Sequence, residues 1–143
     1  MRVRHIFHQN DPSRGTMTQD VWLYRTEVHN DSDRRMRVVW FEFYYLDDGK
    51  WHGINVRNRP LGNADFLQWF GDDGDGLSED GWLEPGAVAV CDPNWHFAFG
   101  SVLNPVKWSY LAVDETGRET LFEAEVPAEA AIRYSPSPPP VTR

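Results

Sequence analysis

Met36-Arg37-Val38-Val39-Trp40-Phe41-Glu42-Phe43-Tyr44-Tyr45-Leu46, then Asp47-Asp48-Gly49-Lys50, then Trp51-His52-Gly53-Ile54-Asn55-Val56, is the stretch that decides the fold. The first run is dense in β-branched and aromatic residues, which suit a pleated surface. The Asp-Gly pair that follows tolerates positive φ and is hairpin chemistry. The last run supplies the partner strand. A long strand, a tight turn and a return strand predict an antiparallel sheet.

The same grammar holds on either side. Val3–Gln9 reads as a strand and Asn10–Gly15 as a loop. Gln19–His29 reads as a strand that stops at the turn cluster Asn30-Asp31-Ser32-Asp33. Ala64–Phe70 fits a helical turn or a short strand, and Gly71–Gly81 a hydrated acidic loop. Leu83-Glu84-Pro85-Gly86 is a turn, and Ala87–Cys91 and Trp95–Phe99 are short strands either side of Asp92-Pro93-Asn94. Val106–Val113 and Arg118–Val126 form a second hairpin through Asp114-Glu115-Thr116-Gly117. Ser135-Pro-Ser-Pro-Pro-Pro140 can make neither ladder nor helix. The expectation is an all-β, immunoglobulin-like antiparallel β-sandwich of about eight or nine short strands over residues 1–134, with a Pro-rich C-terminal tail over 135–143. Alternating helices are absent, which excludes Rossmann and TIM architectures.

Composition narrows the function. The 143 residues carry a net charge of −8, and residues 60–106 hold eight acids and no Lys or Arg. That field argues against nucleic acid as a partner. The Arg34-Arg35-Arg37 and Arg57-Arg59 clusters read as solvated turns. No apolar run reaches the roughly 18 residues of a membrane span, and the N-terminus shows no secretory signal. With one cysteine, Cys91, an internal disulfide is impossible. The expected compartment is the cytoplasm, with no membrane partner.

Side chains alternate across a strand, so each strand offers two faces. In Met36–Leu46 both faces are largely apolar, and Gln19–His29 behaves similarly, whereas Arg118–Val126 is one-sided. Either loops cover the second face, or an aromatic face is exposed for association. The interface candidates are Phe41, Phe43, Tyr45, Trp22 and Tyr24, and a second copy of the chain or another protein is the expected partner.

Aromatic residues with polar neighbours are the ligand candidates: Trp51, His52, Trp69, Trp82, Trp95 and His96. Trp rings stack on sugars while carboxylates accept sugar hydroxyls, so a carbohydrate or small apolar molecule is the expected ligand. The competing reading is that these rings fill a core short of Leu and Ile. Asp72, Asp73, Asp75, Glu79 and Asp80 could supply calcium oxygens, but the EF-hand spacing fails because Leu77 occupies the fifth position from Asp73. His5 and His8 face opposite sides of a strand and chelate together only in a turn. Cys91 and His96 become a nucleophile and base only if Asp92-Pro93-Asn94 folds them together. No phosphate loop, dinucleotide fingerprint or nucleophile elbow is present, and no cofactor is expected.

The order of turns resembles bacterial immunoglobulin-like or fibronectin-III-like sandwiches of the FxLYD and ApaG kind. A strand ends in Asn30-Asp31-Ser32, the next in Asp47-Asp48-Gly49, and Leu83-Glu84-Pro85-Gly86 introduces a later strand. The resemblance covers residues 19–127, but the Gly-x-Gly-Val-Gly stretch of ApaG is replaced here by the acidic loop 71–81. It implies a non-catalytic binding or protein-interaction module. The alternatives are ligand binding in an aromatic pocket, or a small enzyme using a His/carboxylate pair.

Overall fold

A computed structural model of the chain describes residues 1–7, 17–18, 21–71, 76–97 and 105–126. These form nine strands and one helix: β1 (Arg2–Ile6), β2 (Met17–Thr18), β3 (Val21–His29), β4 (Met36–Asp47), β5 (Lys50–Ile54), α1 (Asn63–Phe70), β6 (Trp82–Leu83), β7 (Val88–Phe97), β8 (Val106–Asp114) and β9 (Glu119–Glu125). In the first sheet β3 pairs with β1 and β2 on one side and β7 on the other. The second sheet runs β5-β4-β8-β9, with β6 also on β4. All pairings are antiparallel. The two sheets enclose an aromatic core of Trp22, Tyr24, Phe41, Phe43, Trp108, Tyr110 and Phe122, so the sandwich reading holds.

The hairpins fall where turn chemistry places them. Asp48 and Gly49 have φ of 50° and 73°, the left-handed pair a two-residue turn requires. At the β8–β9 turn the Asp114 carboxylate accepts bonds from the backbone N–H groups of Thr116 and Arg118. The motifs at Asn30 and Leu83–Gly86, far apart in sequence, meet in space. Buried Asn30 donates through Nδ2 to the Arg34 and Leu83 carbonyls at 2.7 and 2.8 Å, and its backbone bonds Gly86 and Ala87. That clamp is the physical reason for the turn order noted above.

The apolar pattern of β4 has a different cause from either expectation. Val38 pairs with Ala112, and Trp40 with the next residue, Leu111, so one extra residue is bulged out of β4. The bulge reverses the alternation. Met36 and Val38 point inward before it, and Phe41 and Phe43 after it. β4 therefore has one interior face, assembled from both sequence parities. Trp22, Tyr24, Phe41 and Phe43 are buried by their own chain, and Tyr45 packs against the same core. They form no outward aromatic face, which corrects the expectation that they meet a second copy.

A second bulge lies in β7. Tyr24 pairs with Asn94 and Thr26 with Cys91, which leaves Asp92-Pro93 opposite Arg25. The expected turn there is absent, and β7 runs through as one strand with a cis Asp92–Pro93 bond. Ala89 and Cys91 point inward before the bulge, Asn94 and His96 after it.

Helix α1 plugs the gap between β4 and β7. Between its contacts with β6 and β5, the free edge of β4 is met by the segment leading into the helix. Phe41 N–H donates to the Leu61 carbonyl, and Asn63 Nδ2 donates to the Val38 carbonyl beside the bulge. Gly81 (φ 89°) approaches Asn63 so closely that a Cβ there would collide with the amide. Asp65, in the first helical turn, accepts from Gly62 N–H at 2.9 Å and from both terminal nitrogens of Arg59 at 2.7 Å. These bonds hold its carboxyl down to about 2, the Arg59 bond being the largest cause. Phe66 and Phe70 enter the core fully buried, stacked at 4.2 Å. Each such ring contributes about 1.5–3 kcal/mol by burial.

Candidate functional site

Beyond the end of α1 the same gap stays open. β5 and β7 are both edge strands, and neither bonds the other. Between them lies a cleft of about 220 Å³. Phe43 and Trp108 form its floor, Trp69 of α1 closes one end, Trp95 and His96 of β7 make one wall, and Ile54–Arg57 the other. Drug-sized ligands occupy roughly 300–1,000 Å³, so this volume suits one ring system. Two of the three large apolar side chains that stand exposed in the described structure, Val56 at 40% and Trp95 at 47%, are on its lining. Among the described residues the lining contains no carboxylate.

The polar groups of the cleft are fixed from behind. Trp108 Nε1–H, which can only donate, gives its bond to Tyr24 Oη at 2.8 Å. Tyr24 Oη lies 2.9 Å from His96 Nδ1. Having accepted from Trp108, the hydroxyl spends its own proton on Nδ1, which assigns His96 the tautomer with its hydrogen on Nε2. The imidazole stacks on Phe43 at 5.0 Å. Burial, helped by His5, pushes the His96 pKa down to about 3, so the ring is neutral at physiological pH. Burial likewise pushes Tyr24 far above the ordinary phenol value. Neither group is set up to exchange protons near pH 7.

Three of the six sequence-derived ligand candidates meet here: Trp69, Trp95 and His96. The other three stand apart. Trp82 lies under Arg35, whose guanidinium is 4.4 Å from the ring centre. Trp51 is beside an open groove with Glu123 and Glu125, and Lys107 sits 4.3 Å over its ring. His52 is exposed and stacks on Tyr45 across the β4–β5 ladder at 5.2 Å. Reading from sequence missed Asn55, Arg57 and Trp108, and treated Arg57 and Arg59 as one solvated cluster. The structure separates them: Arg59 binds Asp65, while Arg57 reaches the cleft, its guanidinium 5.9 Å from the Trp69 ring centre.

The remaining candidates do not assemble. Asp72, Asp73 and Asp75 lie outside the described residues. Of the other two, Asp80 is bonded to Ser78 Oγ, and no group of three or more His, Cys, Asp or Glu among the described residues could hold a metal. His8 is also outside the described residues, while His5 is buried with Nδ1 2.8 Å from Thr26 Oγ1. Cys91 is buried, and no turn brings it back toward His96. A histidine meets a carboxylate at His29–Glu27, 3.0 Å apart, at part-buried positions that alternate with the inward residues of β3. The tail at 135–143 and the boundary at 134 lie outside the described residues.

No family model and no curated protein matches the chain. Among solved structures, one assigned to the ApaA protein of Bordetella pertussis is similar over 87% of this chain and 83% of its own, at 16% identity and a TM-score of 0.44. An X-ray structure of a Northeast Structural Genomics Consortium target is similar over 99% of this chain and 87% of its own, at 10% identity and a TM-score of 0.41. At this level of likeness neither carries an argument about fold or function. No helix among the described residues is long and apolar enough to cross a membrane.

Proposed function

We propose that the chain is a non-catalytic binding module and that it binds a small apolar or aromatic group in the cleft between β5 and β7. The observation that carries this reading is the cleft itself, a hollow lined by Trp69, Trp95 and Trp108 that opens beside the aromatic core. An exposed apolar rim continuous with a preformed apolar hollow is the usual form of a small-ligand site. Catalysis is the weaker reading, because His96 is neutral, faces no acid in the cleft and is committed to Tyr24. A sugar is also the weaker ligand. Among the described lining residues Asn55 is the one with a side-chain oxygen, and no carboxylate stands there for sugar hydroxyls; at Trp51, where carboxylates stand nearby, Lys107 already sits over the ring.

The test is a titration of the ¹⁵N-labelled chain with indole followed by amide and indole N–H shifts. Shifts confined to Ile54–Arg57, Trp95, His96 and the side chain of Trp108 are expected, and Trp95→Ser should weaken them. Saturating indole with no shift at these positions would sink the reading.

A further inference from the structure

Two donors of the cleft have no acceptor to answer them among the described residues. The first is His96 Nε2–H, presented by the relay Trp108–Tyr24–His96 on a side chain only 8% exposed. That N–H opens on the cleft and is not sealed in the core, so an occupant that displaces solvent must bring an acceptor atom to replace the bond it removes. The second is Arg57. It makes no ion pair among the described residues, and the acid it acts on from a distance, Asp65, is already held in the fork of Arg59. A guanidinium beside a Trp ring, at the edge of an apolar hollow, favours a planar anion. A cationic ligand would meet Arg57 and find no carboxylate among the described lining residues.

Resting on the reading of the cleft as a binding site, we infer that its ligand class is a small aromatic carboxylate. The ring lies among Trp69, Trp95 and Phe43, an oxygen accepts from His96 Nε2–H, and the negative charge is matched by Arg57. Hydrogen bonding and charge make separable contributions here, because a neutral amide keeps the acceptor and loses the charge.

Three probes of nearly equal shape separate the two: indole, indole-3-carboxamide and indole-3-carboxylate, each titrated into the full chain and read by the same ¹⁵N shifts. The amide is expected to bind about threefold tighter than indole, as one net hydrogen bond implies. The carboxylate is expected to bind about tenfold tighter than the amide, as a charge-assisted bond implies. Arg57→Met should remove the second step and leave the first. Arg57 is exposed, so the variant should fold, and an unchanged spectrum outside the cleft checks that it does. If indole binds the cleft as tightly as the carboxylate, the site stands and the ligand class is wrong. If Arg57→Met weakens indole and carboxylate equally, Arg57 is packing and not charge recognition, and the class is again wrong. If none of the three shifts any cleft resonance, the site itself falls and the ligand class with it.

Discussion

The gap between β4 and β7 has two halves with opposite treatments. In one, α1 delivers Phe66 and Phe70 against Phe41 and Tyr110, and the space is filled to the density of a core. In the other, one helical turn further on, Trp69 stops short and about 220 Å³ remains. The floor is continuous: Phe41 packs on Phe66, and Phe43 lines the cleft, two residues apart on one strand. A chain able to close the first half with aromatic rings leaves the second open beside rings of the same kind. The difference teaches that the opening is not a shortage of apolar residues but a consequence of which face of the helix each half meets: Phe66 and Phe70 point into the first and Trp69 lines the second.

The comparison can be broken most severely at Phe66. Phe66→Ala should cost about 3–5 kcal/mol in urea unfolding, since it empties the filled half; a cost under 1 kcal/mol would mean that this half is as loosely packed as the other. Acid should act on both halves through the buried imidazoles. Burial holds His5 at about 4 and His96 at about 3, below the ordinary 6.5. As pH falls the unfolded chain takes up protons first, so stability is full above pH 6.5 and declines from there toward pH 4. A loss of about 3 kcal/mol per ring, on the order of 6 kcal/mol for the two, is expected over that window, and His96→Gln should remove about half of the slope. A stability curve flat from pH 7 to 4 would contradict the burial of both rings. Asp65→Asn should cost about 1–2 kcal/mol by weakening the start of α1, read by thermal unfolding at pH 7. The smallest stability effect is expected on the open side. Trp95→Ser should change stability by about 1 kcal/mol or less while weakening the indole shifts, which separates a binding wall from a structural one.

Much of this was legible from residues alone. Asp48-Gly49, Asn30 and Asp114–Gly117 announce their turns because few residues accept those geometries, and β9 alternates cleanly from Glu119 to Glu125. Trp69, Trp95 and His96 were named as ligand residues from their types. What could not be read were the two bulges. Periodicity is a local rule, and one extra residue at Val39 or at Asp92-Pro93 changes its phase without changing composition. Hence β4 read as apolar on both faces, and β7 read as two strands with a turn. Arg57 was invisible for another reason. Its distinction from Arg59 depends on Asp65 lying six residues after Arg59 in a helix that the sequence left undecided.

The bulge in β4 also predicts how this chain tolerates changes of length. In most strands, losing one residue slides a segment by one step, and the damage depends on how much follows. Here Val39 is the residue that no partner across the ladder claims. Deleting it would make the pairing of β4 with β8 regular and leave every other partner in place, so that Met36, Val38, Phe41 and Phe43 would share one face by simple alternation. A shortened chain would gain an orderly ladder and keep its interior, losing only the local bend and added twist that the bulge imposes. Val39 can vary in type, and its place in the count can be removed without turning an inward side chain outward.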